Sequence, residues 1–181
     1  MKFIPSDLPG VTVIEPTVFG DQRGFFMETF HAGKFAAAGI DPVFVQQNHS
    51  RSAAGTLRGL HFQEPRGQGK LVRVIAGAIL DVAVDVRRGS PAFGRWMAIE
   101  LSAENRRQLW IPAGFAHGFA ALSDCEVLYS CTELYAPECE RTIAWNDPDL
   151  AIDWPAIQPI LSPRDAAAPR LRDAPILPEM V

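Results

Sequence analysis

Between positions 43 and 132 apolar and polar residues alternate in short runs with a period of two, the mark of half-buried β-strands. The runs cover 43–50, 56–63, 70–75, 78–86, 96–101, 107–111, 115–122 and 127–132. Turns carrying Gly, Pro, Ser or Asn separate them at about the 8–12-residue spacing typical of an all-β barrel or sandwich. The alternation is cleanest in 79–86, where Val82, Val84 and Val86 point one way and Asp81, Ala83 and Asp85 the other. Carboxylates on that second face predict that it is wet, either as outer surface or as the lining of a cavity. One run, 56–63, stands out because it sets Arg58 and His61 on an otherwise apolar strand. Neither group is stable buried alone, and histidine titrates near neutral pH. Taken by itself, a lone strand histidine is most simply a satisfied structural group.

The ends of the chain read differently. Residues 11–16 form a short strand stopped by Pro16, and 18–30 form a turn between aromatic-rich arms. Four phenylalanines in those thirteen residues (Phe19, Phe25, Phe26 and Phe30) exceed what one hairpin buries, so a core or another subunit must cover them. The span 31–40, ended by Gly39, is the convincing helical segment. Beyond Asp147 the composition shifts, and seven of the fifteen prolines fall there. Proline at that density excludes central strands and long helices, so 148–181 is expected to wrap the barrel as an irregular arm, with a helical turn near 163–168. The expected architecture is all-β: a double-stranded β-helix jelly roll of the cupin type, with an N-terminal strand arm, a short helix and the proline-rich C-terminal arm.

Composition narrows the function. A chain of 181 residues with 48% hydrophobic residues and mean hydropathy +0.02 suits one soluble globular domain, 1–181. The net charge of −4 argues against nonspecific nucleic-acid binding while leaving room for a local basic pocket. Cys125, Cys131 and Cys139 make no CxxC pair, hence neither a disulfide framework nor a zinc site, which fits a reducing cytosol. Pro5, Ser6 and Asp7 interrupt the start before any signal-peptide apolar region develops, and no apolar run reaches membrane-spanning length. A cytoplasmic protein is expected. Gly67-Gln68-Gly69-Lys70 fails as a phosphate loop, since Glu64 stands at the upstream glycine and Leu71 at the Ser/Thr position. No GxGxxG follows a strand, no serine sits in an elbow motif, and His31, His49, His61 and His117 lack the close spacing of a metal site. Neither cofactor nor metal is expected.

Several motifs taken together carry a resemblance. Phe19-Gly20-Asp21-Gln22-Arg23-Gly24-Phe25-Phe26, Gln46-Gln47-Asn48-His49-Ser50 and Leu57-Arg58-Gly59-Leu60-His61-Phe62-Gln63 come first. They are followed by Gly69-Lys70-Leu71-Val72-Arg73, Gly114-Phe115-Ala116-His117-Gly118-Phe119, Trp145-Asn146-Asp147-Pro148 and, in the tail, Leu161-Ser162 and Asp165. In order and over nearly the whole chain, these segments resemble the dTDP-4-dehydrorhamnose 3,5-epimerases. The resemblance implies epimerisation of a nucleotide-linked 4-keto-6-deoxyhexose. Protons at sugar carbons 3 and 5 are acidic because each lies α to the 4-keto group, so the reaction needs a base, an acid on the other face and a donor for the enolate.

The same resemblance assigns roles. His61 is the expected base with Asp165 as its carboxylate, Tyr129 the expected acid, and Lys70 the group favouring the enolate. Without the resemblance, Tyr129 would be read as a core tyrosine and Lys70 as a solvated strand end. Asp81 is expected to hold Lys70 by a salt bridge across a hairpin spanning 70–85. Arg23 and Arg58 suit bidentate phosphate binding. Glu28, Gln46, Asn48, His117, Glu140 and Arg164 map to substrate-contacting positions, and Phe19, Phe26 and Tyr135 are candidates to flank the thymine. Family members are homodimers whose N-terminal arm crosses to the neighbour, so residues 1–50 would be arm and dimer-forming strands, with Arg23 and Glu28 in the partner's pocket. A geometric conflict remains: Arg58 and His61 are three apart, which on a regular strand puts them on opposite faces. Either Gly59 sits at an irregularity or Arg58 reaches the ligand from the strand end. The alternatives to a double epimerase are a single-carbon epimerase of a related pathway and a non-catalytic sugar-nucleotide-binding cupin. The set His61, Asp165, Lys70 and Tyr129 speaks against the last.

Overall fold

The computed structural model describes residues 1–40, 42–156 and 158–180. Strands β1 (Lys2–Pro5), β2 (Thr12–Glu15), β3 (Val18–Asp21) and β4 (Gly24–Met27) precede helix α1 (Ala32–Ala37). The long β series then runs β5 (Gln46–Ser52), β6 (Leu57–Gln63), β7 (Lys70–Ala76), β8 (Ala78–Asp85), β9 (Trp96–Ser102), β10 (Gln108–Ile111), β11 (Phe115–Ala121) and β12 (Cys125–Cys131). A short β13 (Glu140–Thr142) and α2 (Pro163–Ala166) complete the regular elements. The strands form two antiparallel sheets, ordered β1-β2-β10-β7-β12-β5 and β13-β6-β11-β8-β9, with β3-β4 apart as a hairpin. This is the expected all-β, cupin-like jelly roll. No helix among the described residues is long and apolar enough to cross a membrane.

Two of the expectations fail here, one through sheet topology and one through the packing of the C-terminal arm. β7 and β8 are consecutive but lie in different sheets, so 70–85 is a crossover and not a hairpin. β7 pairs with β10 and β12, whereas β8 pairs with β11 and β9. Alternation in β8 is as clean as the sequence indicates, yet its faces have the opposite meaning. Val82 and Val84 face outward, where Leu60, Phe62 and Ile143 join them and the C-terminal arm covers them with Leu150, Leu171 and Ala174. The face with Asp81 and Asp85 turns into the barrel beside Ile79 and Ala83, and both carboxylates are fully buried. It is therefore not wet; each carboxylate carries a partner, His117 for Asp81 and Arg87 with Ser90 for Asp85.

Three apolar clusters hold this arrangement. Val13, Val72, Leu109, Phe115, Phe119 and Val127 meet between the sheets, the C-terminal arm seals the outside of the β6–β11–β8 sheet, and Phe35 of α1 packs with Ile14 and Leu71 on the outside of the other. His31 caps α1, its ring accepting from the Lys34 amide. Arm 148–181 is irregular as its prolines dictate; of its residues Ile157 and Val181 lie outside the description. It is tied to β6 by a hydrogen bond from the Leu57 amide to the Ile160 carbonyl, and that tie delivers α2 to the rim of the barrel.

Candidate active site

One end of the barrel interior is apolar and the other is polar. The polar end opens into a cavity of two adjoining lobes, about 300 and 320 Å³, which share His61, Lys70, Tyr129, Tyr135 and Glu140. His61 comes from one sheet, Lys70 and Tyr129 from the other, so base and acid candidates stand on facing walls.

His61 owes its position to Gly59. Across β6 and β11, His61 pairs with His117 and Arg58 with Phe119, so β6 carries one residue more than β11 over this interval. The extra residue is a β-bulge. Gly59 takes a φ of 120°, and a Cβ there would come within 2.5 Å of Gly118 Cα and 2.8 Å of the His117 carbonyl oxygen. Only glycine permits that approach. The bulge turns Arg58 so that it and His61 line the same lobe despite their three-residue spacing, which decides for the first of the two expected explanations. Arg58 is braced there by Ser52 Oγ, 3.1 Å from its Nε, and by the Arg51 carbonyl.

Asp165 arrives from 104 residues away. Ser162 caps α2 by accepting from the Asp165 amide, and Pro163 starts the helix in the position proline favours. The carboxylate is buried and its Oδ1 lies 2.6 Å from His61 Nε2. Burial pushes the Asp165 pKa up, but the His61 hydrogen bond and charge, with Ser162 and the Gly59 amide, bring it below its ordinary value. A carboxylate only accepts, so His61 donates from Nε2 and keeps the other ring nitrogen for chemistry. On the facing wall, burial raises the Tyr129 pKa and keeps the phenol protonated, as an acid requires. Lys70, the first residue of β7, is buried; desolvation lowers its pKa, with only distant opposition from Cys131, Glu140 and Asp81. The expected Asp81–Lys70 bridge is absent among the described residues, because β8 belongs to the other sheet and Asp81 pairs with His117.

At the rim, Arg164 is ion-paired with Glu140, which also accepts from Tyr135 Oη at 2.7 Å. Burial raises the Glu140 pKa, and Arg164 and Tyr135 together bring it below the usual carboxylate value. The Arg164 guanidinium reaches to 3.5 Å of His61 Nε2. Gln46 and Asn48 line the same cavity, Gln46 Nε2 donating to Asn48 Oδ1 and its Oε1 accepting from the Tyr135 amide. His117 lines the lobe holding Arg58. The N-terminal candidates are not brought in. Phe19, Phe26 and Arg23 line a separate exposed concavity on the β3–β4 hairpin, Arg23 paired with Asp21, while Glu28 pairs with Lys34. Asp81 went unassigned to His117 in the sequence because nothing in the alternation of β8 tells the barrel side from the outer side. Gln63 and Gln68 also line the cavity unforeseen, each bonded to backbone carbonyls that shape its wall.

A histidine oriented by a buried carboxylate, facing a protonated phenol inside a jelly roll, defines a proton-transferring cupin. The family model described as dTDP-4-dehydrorhamnose 3,5-epimerase matches residues 5–173. A protein of that name from Pseudomonas aeruginosa is 55% identical, covering 98% of this chain and 100% of its own. A crystal structure of dTDP-6-deoxy-D-glucose-3,5-epimerase from Legionella pneumophila, in complex with dTDP-4-keto-L-rhamnose, superposes with a TM-score of 0.95 at 51% identity, covering 99% and 98% of the two chains. A 3'-monoepimerase from Streptomyces bikiniensis, in complex with dTDP-quinovose, gives 0.89 at 41%, covering 93% and 87%. The chain belongs to the dTDP-4-dehydrorhamnose 3,5-epimerase family, and it is an isomerase.

Proposed function

We propose that the protein epimerises dTDP-4-dehydro-6-deoxy-D-glucose at carbons 3 and 5, giving dTDP-4-dehydro-L-rhamnose. The observation that carries this reading is the His61–Asp165 pair facing Tyr129, with Lys70 on the neighbouring strand. His61 removes a proton α to the ketone; the electron pair moves into the carbonyl as an enolate, and Asp165 offsets the imidazolium. Lys70 stabilises the enolate oxygen, a task suited to a desolvated ammonium whose charge finds no nearer carboxylate. Tyr129 returns a proton from the opposite face, inverting the carbon. Arg58, Arg164 and His117 offer cationic and N–H contacts to the diphosphate and sugar, with Gln46, Asn48, Glu140 and Tyr135 completing the pocket.

The site is completed by a second copy. Phe19, Phe25 and Phe26 are 63%, 58% and 70% exposed, more apolar surface than a lone hairpin leaves to water. In a homodimer with exchanged arms, Arg23, Glu28, Phe19 and Phe26 enter the partner's cavity, the aromatics beside the thymine and Arg23 at the diphosphate. The cytoplasm is the compartment that suits three buried free thiols. A second reading, inversion at one carbon only, is favoured by the likeness to the Streptomyces bikiniensis monoepimerase. Incubation with the proposed substrate in deuterated water separates the two. Label at carbons 3 and 5 supports double epimerisation, label at one carbon supports the second reading, and no label refutes both. His61→Ala is expected to incorporate none.

A further inference from the structure

Arg106 combines a strained backbone with a guanidinium that faces an aromatic ring. It sits in the turn joining β9 to β10 with a φ of 57°, the left-handed region that a residue with a Cβ seldom takes. Asn105 builds that turn: its Oδ1 accepts from the Ser102 and Arg107 amides, and its Nδ2 donates to the Glu100 carbonyl. The Arg106 Nε is shut off from solvent and has no hydrogen-bond partner among the described residues. What the guanidinium has instead is the ring of Phe25 in β4, whose centroid lies 4.5 Å from Cζ. That is the distance of a cation–π contact. Two residues on, buried Gln108 donates from Nε2 to the Thr29 carbonyl at 2.9 Å, so the same strand end also holds the chain just beyond β4.

The β3–β4 hairpin has two faces. Its register sets Phe19 opposite Phe26 and Asp21 opposite Gly24, and cross-strand partners share a face. Asp21 holds Arg23 through its backbone amide and its guanidinium, which keeps that charge on the same face as Phe19 and Phe26. Phe25 stands opposite Gly20, on the other face. Arg106 therefore grips the hairpin by the face that the substrate does not need and leaves the other free. We propose that Arg106 is the positioning residue of the arm: by clamping Phe25 in its own subunit, it sets the angle at which Phe19, Phe26 and Arg23 enter the partner's cavity. The proposal rests on the exchanged-arm homodimer above. Glycine would relieve the backbone at position 106 but remove the clamp, which is the physical reason for a left-handed arginine there.

Arg106→Met keeps the length of the side chain and loses its charge. The expected result is a KM for dTDP-4-dehydro-6-deoxy-D-glucose raised about three- to tenfold, the range of one cation–π contact, with kcat, melting temperature and dimer mass by light scattering unchanged. Arg106→Lys, which keeps a cation, should recover most of the loss. Phe25→Leu should reproduce it, with no further rise in the double variant. Mixed dimers purified through two different tags supply a readout that a merely structural role would not move. With Arg106→Met paired to His61→Ala, the surviving pocket belongs to the first subunit and receives the second subunit's intact arm, so KM should return to the wild-type value. A KM that stays raised there, an unchanged KM in Arg106→Met, or a rise accompanied by loss of the dimer or of melting temperature overturns the proposal. Arg23→Ala paired with His61→Ala separates the two failures. Recovery there without recovery for Arg106 refutes the clamp alone, and no recovery in either refutes the exchanged arm.

Discussion

Replacing Gly59 by alanine places a methyl group where the two strands of the catalytic wall touch. Two penalties add. The backbone has a φ of 120°, a region that costs an L-residue about 1–3 kcal/mol. The new Cβ would stand 2.5 Å from Gly118 Cα and 2.8 Å from the His117 carbonyl oxygen. Both are backbone atoms, so relief requires β6 and β11 to part, an overpacking cost of about 1–3 kcal/mol. A sum of about 2–6 kcal/mol is a large share of the roughly 5–15 kcal/mol that holds a domain folded. At about 2–4 °C per kcal/mol for a chain of this size, the melting temperature should fall by about 4–24 °C. Gly89→Ala is the control: φ is 81°, but nothing lies within 4 Å of the added methyl. It should lose about 1–3 kcal/mol by conformation alone, without touching activity. Thermal melts followed by circular dichroism, with epimerase assays on the surviving folded protein, read both effects. Should Gly59→Ala melt within 2 °C of wild type, or lose no more than Gly89→Ala, the claim that backbone contact at the bulge fixes His61 and Arg58 is wrong.

Lys70→Met should abolish turnover yet raise the melting temperature. Burial holds the lysine's folded pKa below its unfolded value, so the charged form opposes folding throughout the neutral range and removing it should raise the melting temperature; an unchanged or lower melting temperature contradicts this. Asp165→Asn should lower turnover at least about 100-fold through loss of the His61 tautomer and flatten the acid limb of stability. Because the folded pKa of Asp165 is depressed, its stabilisation is present above the unfolded value near 4 and disappears as pH falls through the folded one. Melts from pH 6 down to pH 2 check the sign. Tyr129→Phe should leave the melt intact and slow reprotonation by about 100-fold or more, measured as accumulation of enolate-derived exchange without inversion. Arg23→Ala should leave folding untouched and raise KM by about tenfold, as a lost charged hydrogen bond would; mixing it with His61→Ala should restore part of the activity if the arms cross between subunits, and none if they do not.

The strands were legible because their information is local. Period-two alternation and turn residues placed 57–63, 70–76, 78–85 and 115–121 within a residue or so of their observed limits, and proline density marked the tail as an irregular arm. The short β1 and β13 carry too few residues for a period to register. What alternation could not convey is direction. The faces of β8 are equally apolar or polar whichever way the sheet is turned, and only the packing of the C-terminal arm on Val82 and Val84 makes the carboxylate side the inside. Sheet membership was likewise hidden, since a crossover from β7 to β8 through Gly77 looks in sequence like a hairpin turn.

The amino-acid sequence by itself determined an all-β jelly roll, its family resemblance and the chemical types needed for proton transfer, because composition and periodicity are properties of neighbours along the chain. Tertiary structure alone decided that Gly59 is a bulge, that Asp81 belongs to His117 and not Lys70, and that Asp165 reaches His61 across 104 residues. Each of these is a meeting of groups distant in sequence, fixed by strand register and by backbone packed too closely for any side chain.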